Sequence, residues 1–429
     1  MAKGVKMRNL FFILILSTLV IGCSSDEEDR KQEEKNTARH EYLSRICLDL
    51  KQKDSNKLEA CYALVKEGHT TTLQLYDIDL KEIPLETFEL TSLKSISLYN
   101  NNLTSLPSSQ YWLKLTELEI LTIRNNNIKI IPNAIFKLPK LKILDIVSSK
   151  VESFERIDNP ANFLSLESLE LFNLSYNNLK ELPGFFYQMR NLRDVDVSSN
   201  QISIIGDEIS NFAQLKSLNL ADNQIHELPN SIGHLQTVEW LHLSINQLTR
   251  LPESIGELQQ LRQLLAAANK FDRLPDSIGR LSNLYEITLS ENQLSSLPDS
   301  LGKLKSLVIL DIDKNQFTQL PESLTKLTAL VDLNVSRNPF SSFPTVISRL
   351  SGLKSLAYAS GINPALPMSL SQLTELEVLA TYEHRYRKIP EVIFKLSSLK
   401  NFIVNLEENP NDLLLEQIKR LQKQGVSVE

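Results

Sequence analysis

The chain has 429 residues, more than one compact core accommodates, since single cores stop growing near about 250 to 300 residues; it is several domains or one elongated array. Hydrophobic residues at 42% and charged residues at 23% exclude both a polytopic membrane protein and a mainly disordered one. Lys+Arg at 46 against Asp+Glu at 52 leaves a formal charge of -6, which disfavours nucleic acid as a partner, and 12 glycines with 17 prolines exclude a collagen-like or linker-dominated chain.

At the N-terminus Lys3, Lys6 and Arg8 precede the apolar run Leu10 to Ile21. That run is shorter than the roughly 20 apolar residues needed to cross a bilayer, so it reads as a secretory signal. It ends in Val20-Ile21-Gly22-Cys23, which resembles a bacterial lipoprotein signal. The resemblance implies that residues 1–22 are removed and that Cys23 is acylated, anchoring the chain to a membrane by lipid. Residues 23–36, with Ser24-Ser25-Asp26-Glu27-Glu28-Asp29, lack the apolar side chains needed to offset the entropy of ordering and are expected to form an acidic tether. Ser24 beside the cysteine is similar to outer-membrane lipoproteins of Gram-negative bacteria. The acidic cluster resembles surface-export signals of some of them, with a plain solvated spacer as the alternative.

Residues 37–69 carry two helical faces, Leu43, Ile46, Cys47 and Leu50, then Leu58, Cys61, Leu64 and Val65, with Lys53-Asp54-Ser55-Asn56 between them. A helical hairpin capping the N-terminus is expected. Cys47 and Cys61 each lie seven residues from Asp54, so antiparallel helices bring them together, and an exported chain favours the bond; a disulfide is predicted.

From about residue 70 the pattern L-x-x-L-x-L-x-x-N-x-L-x-x-L-P recurs. Its asparagine falls at Asn177, Asn200, Asn223, Asn246, Asn269, Asn292, Asn315 and Asn338, every 23 residues, and the same slot continues at Gly361 and His384. Upstream it holds Asn101, Asn126 and Ser149, spaced by 25 and 23 and then by 28 residues, which implies two insertions. The longer one is expected to bulge as a loop near Glu155 to Pro160. One winding cannot bury its own leucines until a neighbour stacks on it, so the core must run along the stack. An inward asparagine escapes the penalty of burial by donating to and accepting from neighbouring backbone, which predicts an asparagine ladder. Prolines 84, 107, 132, 183, 229, 252, 275, 298, 321, 344, 367 and 390 share one register and end one leg of each winding.

These residues resemble the leucine-rich repeat family, and Leu-Pro-x-Ser-Ile-Gly-x-Leu at Leu251 to Leu258 and Leu274 to Leu281 is similar to its plant Ras-group-related, Shoc-2-like subclass. The expected architecture is an α/β solenoid over residues 70–408, a horseshoe of about 15 coils counted from Ile78 to Glu407, with a parallel sheet lining its concave side. Residues 409–429 are expected to close it with a helix capped by Asn411, carrying Leu414, Ile418 and Leu421, followed by Gly425 and a short strand at Val426 to Val428.

Residues two, four and six before the Asn slot are expected to point outward along the concave sheet. The four-before column holds Asp145, Asn173, Asp196, Asn219, His242, Leu265 and Asp311 and no Lys or Arg; neighbouring columns add Asp194, Asp222, Glu286, Glu291, Asp313 and Asp332. Trp240, His242, Ile245 and Leu265 put an apolar patch between these acids, which resembles a binding hot spot for a protein or peptide with a basic rim. A solvated sheet bearing one tolerated tryptophan is the competing reading. No nucleophile-and-base pair, metal-ligand spacing or phosphate loop stands out, so no enzyme activity, metal or cofactor is expected. An intracellular scaffold of the Ras-pathway type and an envelope structural protein are the alternative functions.

Overall fold

The computed structural model describes residues 61–66, 69–156, 166–359, 365–406 and 411–429. The predicted signal, Cys23, the acidic tether, the first helix of the hairpin with Cys47, the loop expected near residues 157–160 and the Gly361 slot lie outside them.

Each L-x-L becomes a strand because alternation puts one side chain in the core and its neighbours outside. In the Trp240–His242 strand, Leu241 is buried between the exposed Trp240 and the half-buried His242. Among the described residues the strands stack in register into a 17-stranded sheet. It begins with β1 (Cys61–Lys66) and β2 (His69–Tyr76) and ends with Ser427–Val428. Setting aside β1 and the final short strand leaves fifteen parallel strands, one per winding, as the slot count predicts. Behind the sheet one continuous apolar core runs from Leu73 to Val426.

The N-terminal expectation fails over residues 61–66. In place of a second helix, β1 pairs antiparallel with β2, Cys61 opposite Leu75 and Lys66 opposite His69. The reason is competition for backbone partners. β2 opens the sheet with a row of unpaired N–H and C=O groups, and an adjacent segment carrying Val65 and Leu64 satisfies them better as a strand than it satisfies itself as a short helix. The helical juxtaposition that suggested the Cys47–Cys61 bond is therefore not formed on the Cys61 side, and Cys47 is outside the described residues.

The opposite leg of most windings is a 3-10 turn. Eleven of the twelve register prolines stand directly before such a turn, from Pro84 at φ -56° to Pro390 at φ -58°. Their locked φ starts the turn, and their missing N–H is one that no intrahelical bond needs. The twelfth, Pro107, leads into α1 (Ser109–Trp112) in the 25-residue winding, and its carbonyl accepts the indole N–H of the buried Trp112 at 3.0 Å. Strands stack about 4.8 Å apart, and these turns form the opposite side of the stack. At the entry to the 28-residue interval, Ile130–Ile131 of the preceding winding and Ser153–Phe154 within it form a separate two-stranded sheet that the sequence did not announce.

At the C-terminus α2 (Asp412–Lys423) follows Asn411, whose side chain accepts from the Leu414 N–H at 2.8 Å. Leu414 and Leu421 are buried, Gly425 takes the left-handed φ of +85°, and Ser427–Val428 pairs with Asn401 and Phe402.

Candidate partner-binding face

The Asn slot explains why the sheet face is rigid. The Asn246 amide donates to the Leu220, Leu243 and Ser244 carbonyls at 2.9, 3.1 and 3.4 Å, and its oxygen accepts the Ile225 N–H at 2.9 Å. The same set recurs at Asn200, Asn223, Asn269, Asn292, Asn315 and Asn338, and variants of it at Asn101, Asn126 and Asn177. All are buried except the half-buried Asn200. Ser149 fills the slot with a shorter reach: its hydroxyl bonds only its own strand at Val147, and Asn177 supplies the acceptor for its N–H. In the windings at Tyr358 and Thr381, beside the slots that lose asparagine, these two polar side chains are themselves fully buried.

Two rows of side chains lie side by side on the sheet. Strand register places Asp194, Ser217, Trp240, Gln263, Glu286, Ile309 and Asp332 in one row. The parallel row is Asp196, Asn219, His242, Leu265, Thr288, Asp311 and Asn334. Neither contains Lys or Arg. Trp240 is 43% exposed, while Asp194, Asp196, Asn219, His242, Leu265, Glu286 and Asp311 are half-buried. Thus the sequence-predicted anchor and most of the acids around it share one surface.

The second row has a structural reason for its Asp and Asn content. From Leu171–Asn173 to Ser355–Ala357 each strand lasts three residues, so the N–H two positions on loses its ladder partner. The Asx side chain replaces it: Asn173 accepts from Ser175 N–H at 3.0 Å, Asp196 from Ser198 at 2.9 Å, Asn219 from Ala221 at 3.1 Å, Asp311 from Asp313 at 3.0 Å and Asn334 from Ser336 at 3.1 Å. Asp196 also accepts from Asn219 at 3.1 Å. These oxygens are partly committed before any partner arrives.

Three expectations need correction. The two-before column faces outward only on the five-residue strands, at Tyr99, Arg124 and Val147; where strands last three residues Ser175, Ser198, Ser244, Asp313 and Ser336 are buried, because after the third strand residue the chain turns into the stack. Asp313, predicted as a docking acid, is buried and ion-paired with Arg337, whose Nε lies 2.9 Å away. Asp222 is off the sheet, one residue before the slot, exposed and in the left-handed region at φ 54°. That left-handed position recurs at Asn100, Asn125, Tyr176, Ile245, Ala268 and Glu291. Asparagine and aspartate favour that conformation and are the signal by which the position could have been found; isoleucine hides it. Ile245, a β-branched residue at φ 58° and 55% exposed, is costly at this site. Ile245→Asn is expected to raise stability by about 0.5–1 kcal/mol in urea unfolding, and a loss would show that packing, not backbone, decides there.

Charge on the face is shaped by burial. Burial pushes the Asp311 carboxyl up to about 6, with the nearby Asp313 and Asp332 adding to it and the Asp313 N–H and Arg337 opposing. Burial likewise raises Asp194, against Lys216 and Arg193, and Asp332, against a Ser355 hydrogen bond. It holds His242 below the usual imidazole range, Asp196 opposing, so His242 is neutral at pH 7. At Asp145 burial again wins over the Arg124 ion pair and lifts the carboxyl. The folded state holds the Asp311 proton more tightly than the unfolded chain, so stability falls as pH rises from about 4 through about 6. Asp311→Asn keeps the oxygen that accepts the Asp313 N–H, as Asn334 does in the next winding. It is expected to raise the urea midpoint at pH 7.5 and leave it unchanged at pH 4; an equal gain at both values would exclude the charge as cause.

The sequence profile of the leucine-rich repeat region matches residues 194–293 and 287–424, more than half the chain, and a second leucine-rich repeat profile matches residues 158–202. The comparison with curated proteins gave no match. Among solved structures, a leucine-rich repeat protein of Leptospira interrogans superposes with a TM-score of 0.74 at 28% identity, over 86% of this chain and 93% of that one. The internalin InlF of Listeria monocytogenes shares the fold with a TM-score of 0.60 at 23% identity, over 72% of this chain and 86% of that one. The ectodomain of the plant membrane receptor kinase GASSHO1/SCHENGEN3 from Arabidopsis thaliana, in complex with Casparian strip integrity factor 2, gives 0.54 at 27% identity, over 77% of this chain and 44% of that one. With its profile, its ladder and its stacked windings in agreement, the chain belongs to the leucine-rich repeat family.

Proposed function

We propose that this is an exported leucine-rich repeat protein, anchored through acylated Cys23 to the outer membrane of a Gram-negative bacterium, whose concave face binds a protein or peptide. The single observation that carries the binding reading is Trp240, 43% exposed on a strand whose row and neighbouring row hold acids and no cation. An aromatic side chain left open on a rigid surface, with polar groups around it, is the composition of a binding hot spot. The receptor kinase ectodomain, solved in complex with a factor, supports the use of this fold for such contacts. The anchoring reading rests on the basic flank, the short apolar run and Gly22-Cys23. Within it, Cys47 and Cys61 remain candidates for a disulfide, and α2 for a cover over the last winding. No chemical step belongs to the proposal.

Two measurements test it. Capture of envelope proteins by the full chain, compared with Trp240→Ala, is expected to lose its specific partner, because hot-spot truncation costs about 2 kcal/mol or more, roughly 30-fold in affinity. Unchanged capture would remove Trp240 from the site. Fatty-acid labelling of Cys23 against Cys23→Ala, with protease shaving of intact cells, is expected to show label only on the native chain, and label on both would refute the anchor.

A further inference from the structure

Along the first row the charged and aromatic side chains fall on every second strand: Asp194, Trp240, Glu286 and Asp332, with neutral Ser217, Gln263 and Ile309 between them. Two strand spacings are about 9.6 Å. A polyproline-II chain laid across the strands advances about 9.3 Å in three residues and returns a side chain to the same face at each such step, whereas a β-extended chain alternates faces and would turn every other third residue away. A helix offers its nearest same-face step at seven residues, about 10.5 Å, and accumulates nearly 3 Å of error over three steps.

We infer that the concave face takes a peptide in the polyproline-II conformation running along the solenoid axis, reading every third residue as cation, apolar, cation, cation over Asp194, Trp240, Glu286 and Asp332. This rests on the proposed binding face and goes beyond it by fixing the partner's backbone and charge pattern. Charge complementarity selects the occupant. All three charged positions of the row are acidic, and the rim cations nearest Asp194 already have acids of their own, Arg193 with Glu170 at 3.7 Å and Lys216 with Glu239 at 3.6 Å. Glu286 is held upright by the Gln263 amide at 2.6 Å, an oxygen fixed before a ligand arrives. The neutral residues between leave room for two side chains of any small type.

The test uses Trp240 as its own reporter, because the other tryptophan, Trp112, is fully buried. The full chain is titrated with blocked synthetic peptides of one composition, three lysines and one leucine in a serine background. Spacing is every second, third or fourth residue, and a helix-forming peptide carries the same side chains every seventh. The third-residue peptide is expected to blue-shift Trp240 emission and to bind at least tenfold tighter than the others. That preference is expected to be lost in Trp240→Ala, followed there by calorimetry, and to shrink at least tenfold in Glu286→Gln/Asp332→Asn. Equal binding of all spacings, with dependence on Trp240 retained, would overturn the register while leaving the binding face standing. Preference for the heptad peptide would overturn the polyproline-II conformation. No emission change with any peptide would overturn the inference outright, and partner capture dependent on Trp240 would then still uphold the face.

Discussion

Asn246→Ala is expected to lower the free energy of unfolding by about 2–4 kcal/mol, read from urea or thermal unfolding by circular dichroism, since it strands the Ile225 N–H in a dry interior at roughly 1–3 kcal/mol and removes three further hydrogen bonds. The Leu220, Leu243 and Ser244 carbonyls lose this amide but each keeps a second donor, the Asn223 amide, the Asn269 amide and the Asp222 N–H. Because a solenoid is held by nearest-neighbour contacts, the loss should fall on the windings around residues 220–248 and broaden or split the transition. Asn200→Ala removes an equivalent set of bonds from a half-buried side chain, where water can substitute, and should cost less. A loss under about 1 kcal/mol at Asn246 would contradict the ladder's role.

The second large effect is expected on the outer leg. Successive 3-10 turns approach so closely that a Cβ on Gly279 would stand 2.3 Å from the Ser300 carbonyl oxygen and 2.7 Å from its carbon, and Gly233, Gly256 and Gly302 meet the next turn at 2.4 to 2.6 Å. The obstacle is backbone, which cannot rotate away. Gly279→Ala is expected to destabilise by about 2–3 kcal/mol through forced separation of two windings. Gly184 opens its own turn with nothing within 4 Å of the same added atom and without a left-handed φ. Gly184→Ala should therefore be neutral or gain about 0.4–1 kcal/mol by restricting the unfolded chain. Equal responses at the two glycines would refute the close-approach explanation.

Most of the fold was legible because a 23-residue period repeats one local solution: Leu241 inward, Asn246 on backbone, Pro252 starting the turn. The recurrence of Ser-Ile-Gly at 254–256 and 277–279 was visible too, but its reason was not, since glycine's job there is defined by the neighbouring winding. The N-terminal strand was misread because Leu58, Cys61, Leu64 and Val65 carry helical spacing, while the open edge of β2 decides the outcome from outside the segment. In the candidate face, exposure of Trp240 and half-burial of the acids followed from strand alternation. The withdrawal of Asp313 did not, because Arg337 reaches it from a different winding by way of a left-handed residue.

The Asx oxygens that finish each short strand leave the inner surface with an adjustable charge. Either carboxylate or amide accepts the same N–H, as Asp196, Asn219, Asp311 and Asn334 demonstrate side by side. One atom's exchange, oxygen for nitrogen, resets the local potential while the scaffold beneath is untouched. A lineage meeting a new ligand can thus retune attraction and repulsion by single codon changes, winding by winding, without first finding a compensating mutation.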